Sequence, residues 1–97
     1  MPEKLTEQQV VVAMEGYQNW SLNGAQLERE FTLDNFVKAL EFVNAVGRLA
    51  EEADHHPDIL IHGWNKVRLT LSTHSAGGLT KSDFALAGRI DRMLKGG

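Results

Sequence analysis

Residues 51–83 read EEADHHPDILIHGWNKVRLTLSTHSAGGLTKSD, and this stretch decides the second half of the fold. His55-His56-Pro57 ends the helix before it, because the residue preceding a proline is pushed out of the α region. Residues 59–64 and 65–74 then read as a strand pair. In the second, Val67, Leu69 and Leu71 alternate with Arg68, Thr70 and Ser72, the period of a half-buried strand. A strand continued to its end puts His74 on the polar face with Ser72. Ser75-Ala76-Gly77-Gly78 reads as a small flexible loop. Leu79-Thr80-Lys81-Ser82-Asp83-Phe84 has the staple and capping pattern of a helix start. The closing helix would turn Phe84, Ala87, Ile90, Met93 and Leu94 inward and end before Gly96-Gly97.

Upstream of this stretch lies scaffold. Thr6 is a good N-cap with Gln9 three residues on, and Leu5 and Val10 are placed as a hydrophobic staple. The helix is expected over 7–15 and ends at Gly16, with Val10, Val11, Ala13 and Met14 as its apolar stripe. Residues 17–22 and 25–31 flank Asn23-Gly24, the signal of a type I′ hairpin. Trp20 and Leu22 share a face that joins the core. Leu27 and Phe31 alternate with Gln26, Glu28 and Glu30, and Arg29 breaks that alternation. Thr32 or Asp34 can cap a long helix reaching Ala53. Its apolar positions, Phe36, Val37, Ala39, Leu40, Phe42, Val43, Val46, Leu49, Ala50 and Ala53, are too many for one surface stripe. One face must cover a sheet, and the excess points to a partner subunit. The order α-β-β-α-β-β-α predicts an α+β fold, a four-stranded antiparallel sheet with three helices on one face, in a single domain over 1–97.

Composition narrows the function. The chain has 97 residues, 42% of them hydrophobic and 24% charged, as in an ordinary globular domain. The net charge of −3 and the lack of a basic run argue against direct nucleic-acid binding. With no cysteine there is no disulfide, thiolate nucleophile or cysteine metal site. No apolar run approaches the ~20 residues of a membrane span, and the polar start MPEKLTEQQ has no signal core. The expectation is an intracellular, cytoplasmic protein. All four histidines lie between His55 and His74, with Glu51, Asp54 and Asp83 around them. Imidazole exchanges protons near neutrality, so this is the one concentration of acid–base chemistry in the sequence. Three histidines and nearby carboxylates can bind zinc, but helical His-Glu-x-x-His spacing is absent and the neighbours His55 and His56 are poorly placed to share an ion, so no metal is expected.

The spaced pattern Glu51-x₃-His55-His56-Pro57-x₆-Trp64-x₉-His74-x₈-Asp83 resembles the signature of the pterin-4a-carbinolamine dehydratases. Trp20, the strand of Leu27 and Phe31, Asn65-Lys66-Val67 and Leu71-Ser72-Thr73-His74 extend the resemblance over most of the chain. The family implies the same α-β-β-α-β-β-α order. It also implies a cofactor-free dehydration of 4a-hydroxytetrahydropterin to quinonoid dihydropterin, following turnover of an aromatic amino acid hydroxylase in tetrahydrobiopterin recycling. On this resemblance His55, His56 and His74 are the catalytic set, with His56 and His74 exchanging protons and His55 lining the pocket. Pro57, Thr73, Ser75 and Ala76 would wall the pocket. Glu51 and Asp54 would orient imidazoles, and Trp64 is either pocket wall or core. Asp83 could serve the site or simply cap the last helix. His62 matches no family position and reads as a strand residue. Six residues separate Pro57 from Trp64, the longer of the family's two spacings, and they are less aromatic than in animal members, which leaves the accepted pterin side chain open. The family also implies a homodimer or homotetramer. The resemblance also implies an alternative, a non-enzymatic assembly or dimerisation protein on the same fold, since animal members moonlight as dimerisation coactivators and dehydratase-like relatives serve as carboxylase assembly factors.

Overall fold

Thr6 opens α1 (Glu7–Met14): its hydroxyl accepts from the Gln9 N–H at 3.1 Å, and the Gln9 side chain accepts from the Thr6 N–H at 2.8 Å. Leu5 and Val10 both pack on the core beside this reciprocal cap. The computed structural model describes residues 3–96, so expectations for Met1, Pro2 and Gly97 lie outside the described residues. The helix ends one residue early, with Glu15 as C-cap, and Val11 leaves the expected stripe to stand exposed beside Val12.

The first hairpin departs from expectation in its turn. β1 (Ser21–Asn23) and β2 (Gln26–Thr32) pair Asn23 with Gln26, so the loop is Gly24-Ala25 rather than Asn23-Gly24. A type I′ turn needs positive φ at both central residues. Here only Gly24 supplies it, at 62°, and glycine in the first position is the mark of type II′. Residues 17–20 form a turn instead of strand, with the Trp20 N–H donating to the Tyr17 carbonyl at 3.0 Å. Trp20 is buried as expected. Leu22 is not, because β1 is an edge strand.

Arg29 breaks the alternation of β2 because it has a partner on the inner face. Asp91 of α3 (Lys81–Gly96) accepts from Arg29 Nη1 at 2.7 Å and from Trp20 Nε1 at 3.0 Å. The guanidinium also lies 4.4 Å over the Phe31 ring. Asp91→Ala is therefore expected to cost about 2–4 kcal/mol in urea unfolding, since it strands a largely buried cation and an indole N–H. A loss below ~1 kcal/mol would show that water replaces the carboxylate at both groups.

Asn35, not Thr32 or Asp34, caps α2 (Phe36–Ala53), its side chain accepting from the Lys38 N–H at 2.8 Å. Thr32 is unavailable because it is still paired with Lys66, and the Leu33 N–H bonds the Asn65 carbonyl at 2.8 Å. Ala39, Phe42, Val46 and Ala50 face the core, while Phe36 and Val37 remain 50% and 60% exposed. The helix carries the chain to the far edge of the sheet. There β3 (Asp58–His62) starts, and β4 (Lys66–Leu71) returns between β3 and β2, giving the antiparallel order β1-β2-β4-β3. The element order and fold class are those expected. Leu27, Phe31, Val67, Leu69 and Leu71 from the sheet's inner face meet side chains of α2 and α3 in one core. Each fully buried leucine there contributes about 1.5–3 kcal/mol.

Three expectations for the second hairpin change. Its loop is the three residues 63–65, and Trp64 sits in it at φ 58°, 62% exposed, rather than in the core. β4 ends at Leu71 and does not reach His74. Instead Thr73 and Gly78 bridge, and His74–Ala76 forms a 3₁₀ turn closed by Gly77 at φ 74°, in place of a flexible loop. α3 runs on through Gly96.

Candidate active site

The end of α2 is built to eject His55 from the helix. Asp54 adopts the left-handed conformation at φ 51°, and its N–H bonds the carbonyls of Ala50 and Glu51. The His55 N–H reaches the Ala50 carbonyl at 3.1 Å, which makes a Schellman-type ending with aspartate in the position glycine usually takes. Asp54 thus shapes the backbone, and its exposed side chain makes no hydrogen bond to an imidazole among the described residues. Pro57 follows, half-buried, and admits β3.

The start of α3 supplies the carboxylate. Asp83 is the third helical residue, and its Oδ2 accepts from the Thr80 N–H at 2.9 Å, while the Thr80 hydroxyl accepts from the Ser82 N–H at 3.2 Å. This cap draws Asp83 wholly inside, at 0% exposure. Oδ2 also accepts from the Thr73 hydroxyl at 2.8 Å, and Oδ1 lies 2.5 Å from His55 Nε2. Capping α3 and holding His55 are therefore not alternatives: one carboxylate does both. A negative group in the first turn of α3 is also favoured by the helix dipole. A second tie, Arg89 to Glu52, braces the end of α2 against α3.

The other two histidines of the expected set are more open. His56 Nε2 lies 2.5 Å from Glu51 Oε2, but both side chains are mainly in solvent, so the pair orients the ring weakly and contributes at most about 1 kcal/mol. His74 is exposed and has no side-chain hydrogen bond among the described residues, so neither ring nitrogen is engaged by them. It follows Thr73 directly, so one peptide separates it from the hydroxyl that holds Asp83. Ser75 and Ala76 complete its turn. A shallow cavity of about 250 Å³ lies against it, lined by Ala25, Gln26, Ser72, Thr73, His74, Gly77 and Gly78.

The structure gathers His55, Thr73 and Asp83 in direct contact, pairs His56 with Glu51, and places His74, Ser75 and Ala76 alongside. Trp64 is not among them. It sits at the opposite end of the β3–β4 hairpin, whose five residue pairs span roughly 13 Å from the end nearer His56. His62 is a strand residue, as expected. It hydrogen-bonds Glu30 across the sheet, and with Arg68 nearby this holds the Glu30 carboxyl below its usual range. Ala25, Gln26 and Thr80 were not anticipated as site residues. The capping pattern pointed to Thr80 as a helix start, but nothing in the sequence marks its 2.9 Å contact with Thr73. A larger groove, about 770 Å³ between α1 and α3, is lined by Leu5, Val12, Ala13, Tyr17 and Phe84 and holds no histidine. The histidine cluster has the proton-transfer chemistry that this groove lacks. No group of three or more His, Asp or Glu among the described residues is arranged to hold a metal ion, and no described helix is long and apolar enough to cross a membrane.

The family described as pterin 4 alpha carbinolamine dehydratase matches residues 3–93, and the chain belongs to that family. A Picosynechococcus protein is 43% identical over 93 residues, covering 96% of this chain and 100% of its own length. A Chloroflexus aggregans protein is 48% identical over 92 residues, covering 94% and 97%. Both bear the name "Putative pterin-4-alpha-carbinolamine dehydratase". Among solved structures, a transcriptional coactivator/pterin dehydratase from Brucella melitensis superposes with a TM-score of 0.87 at 30% identity, covering 94% of this chain and 98% of that one. A pterin dehydratase-like protein identified as a RuBisCO assembly factor in the alpha-carboxysome gives 0.64 at 27% identity, covering 77% and 88%.

Proposed function

We propose that this chain dehydrates 4a-hydroxytetrahydropterin to quinonoid dihydropterin by general acid–base catalysis on histidine. The observation that carries this reading is the buried Asp83 holding His55, with the accessible imidazoles of His56 and His74 on the two adjoining segments. In the reaction the C4a–O bond breaks, the hydroxyl leaves as water after receiving a proton, and N5 gives its proton up. A donor and an acceptor near neutral pKa suit both transfers, each contributing roughly 10²–10⁴-fold. His56 and His74 are the accessible pair for these transfers. His55 is mostly buried and held in place by Asp83. Nothing in this step calls for a cofactor. Pro57, Ser75 and Ala76 stand beside these histidines as pocket wall, and Glu51 orients His56.

A place in tetrahydropterin recycling beside an aromatic amino acid hydroxylase, a cytoplasmic location and a homodimer or homotetramer belong to the same reading. The exposed Phe36, Val37 and Leu40 of α2 support the last of these. The assembly or coactivator reading rests on the two solved relatives with such names, and the presence of all three histidines favours the enzyme.

The test is dehydration of chemically generated 4a-hydroxytetrahydropterin, followed by ultraviolet absorbance in the presence of a chelator. Turnover well above the spontaneous rate is expected. A folded protein that leaves the spontaneous rate unchanged would refute the enzyme and turn attention to protein partners.

A further inference from the structure

Thr73 was expected to wall the substrate pocket, but its hydrogen-bonding capacity is already used. A hydroxyl has one proton to donate. That proton goes to Asp83 Oδ2 at 2.8 Å, and the residue is buried. The contact of 2.9 Å between the Thr73 and Thr80 hydroxyls must then run from Thr80 to Thr73. Thr80 is itself fully buried, and its oxygen accepts from the Ser82 N–H. The result is a one-way chain: Ser82 N–H to Thr80, Thr80 to Thr73, Thr73 to Asp83. With the Thr80 N–H also on Oδ2, that oxygen is saturated by two donors, and Oδ1 is left for His55. An ionised carboxylate only accepts, so His55 must donate from Nε2 and keep Nδ1 as its lone-pair nitrogen whenever the ring is neutral.

We propose that Thr73 and Thr80 are positioning residues which, through Asp83, fix the tautomer and orientation of His55. The Thr73–Gly78 bridge closes the turn that carries one end of this chain, and the first turn of α3 anchors the other. Two separate elements are thereby locked to the ring at the end of α2. The proposal rests on the dehydratase reading for its effect on turnover, but its effect on the imidazole does not depend on that reading.

The experiment uses ¹⁵N-histidine-labelled full-length protein, comparing wild type with Thr73→Val, Thr73→Ser and Thr80→Val. The wild-type His55 signal is expected to show the Nε2–H tautomer in large excess. Thr73→Val frees the Asp83 carboxylate to turn off the ring, so it should turn this into a mixture and lower kcat about tenfold with KM held within about twofold, the pattern of a displaced group rather than lost substrate contact. Thr73→Ser should restore both. Should Thr73→Val fail to fold, Thr80→Val decides by the same signal. A His55 tautomer unchanged in the folded variant overturns the proposal, as does a raised KM with unchanged kcat, which would return Thr73 to the pocket wall. If the wild-type protein proves inactive on the pterin, the dehydratase reading fails, and the tautomer signal alone decides the positioning role.

Discussion

Asp83→Asn is expected to lower turnover by on the order of 10²–10³-fold while the protein still folds, because an amide cannot serve the same three donors as a carboxylate. The Thr80 N–H can only donate, so an amide must keep its oxygen on that side. Its NH₂ then faces His55 Nε2, which has to become an acceptor, and the proton moves to Nδ1. A single-atom change would thus reverse the tautomer of the one histidine the fold holds rigidly. Asp83→Ala is expected to act on stability as well. It leaves the buried Thr80 N–H and the mostly buried imidazole without their acceptor, and leaves the Thr73 hydroxyl with Thr80 alone. That change should cost on the order of 3–5 kcal/mol in denaturant unfolding. The two variants separate the roles: the amide tests the chemistry, and the alanine tests the cap. Turnover unchanged in Asp83→Asn would reduce Asp83 to a helix cap.

The readable parts of the fold were those fixed by local chemistry. Thr6 and Gln9 form a reciprocal cap because nothing but local geometry is needed for one. The alternation of Val67, Leu69 and Leu71 gave β4 its buried face. What could not be read depends on pairs distant in the chain. Thr32 looked like a helix cap, yet its backbone is held by Lys66, thirty-four residues on. Arg29 looked like a flaw in a strand until Asp91 supplied its partner from the other end of the chain. His74 was placed on a strand face by extending a period. Thr73 keeps that period, buried like Val67, Leu69 and Leu71 with its hydroxyl on Asp83, but the strand has ended at Leu71 and His74 opens a 3₁₀ turn instead. Trp64 shows the limit of reading a large aromatic as core: a three-residue loop needed left-handed backbone, and the tryptophan stands exposed on it. At the candidate site, the sequence shows the histidines and acids gathered in one stretch, and only the fold pairs Asp83 with His55 and Glu51 with His56.

His74→Ala should give the opposite profile to Asp83→Ala: little change in stability and the largest loss of activity. The side chain is exposed at the start of a 3₁₀ turn, with no side-chain hydrogen bond among the described residues, so its removal should alter unfolding by no more than about 0.5 kcal/mol. If the imidazole carries one of the two proton transfers, kcat should fall about 10²–10⁴-fold, with KM less affected, in steady-state dehydration assays. His56→Ala should behave similarly, since its pair with Glu51 is solvated and holds little of the fold. The contrast discriminates between the two functions considered for this fold. A protein acting only by assembly has no need of an unpartnered imidazole beside a small cavity, and would tolerate its loss. A dehydratase would keep its fold and oligomeric state and lose its turnover. Wild-type activity retained in His74→Ala would remove His74 from the proton path and leave the buried His55–Asp83 pair, with His56, to account for both transfers.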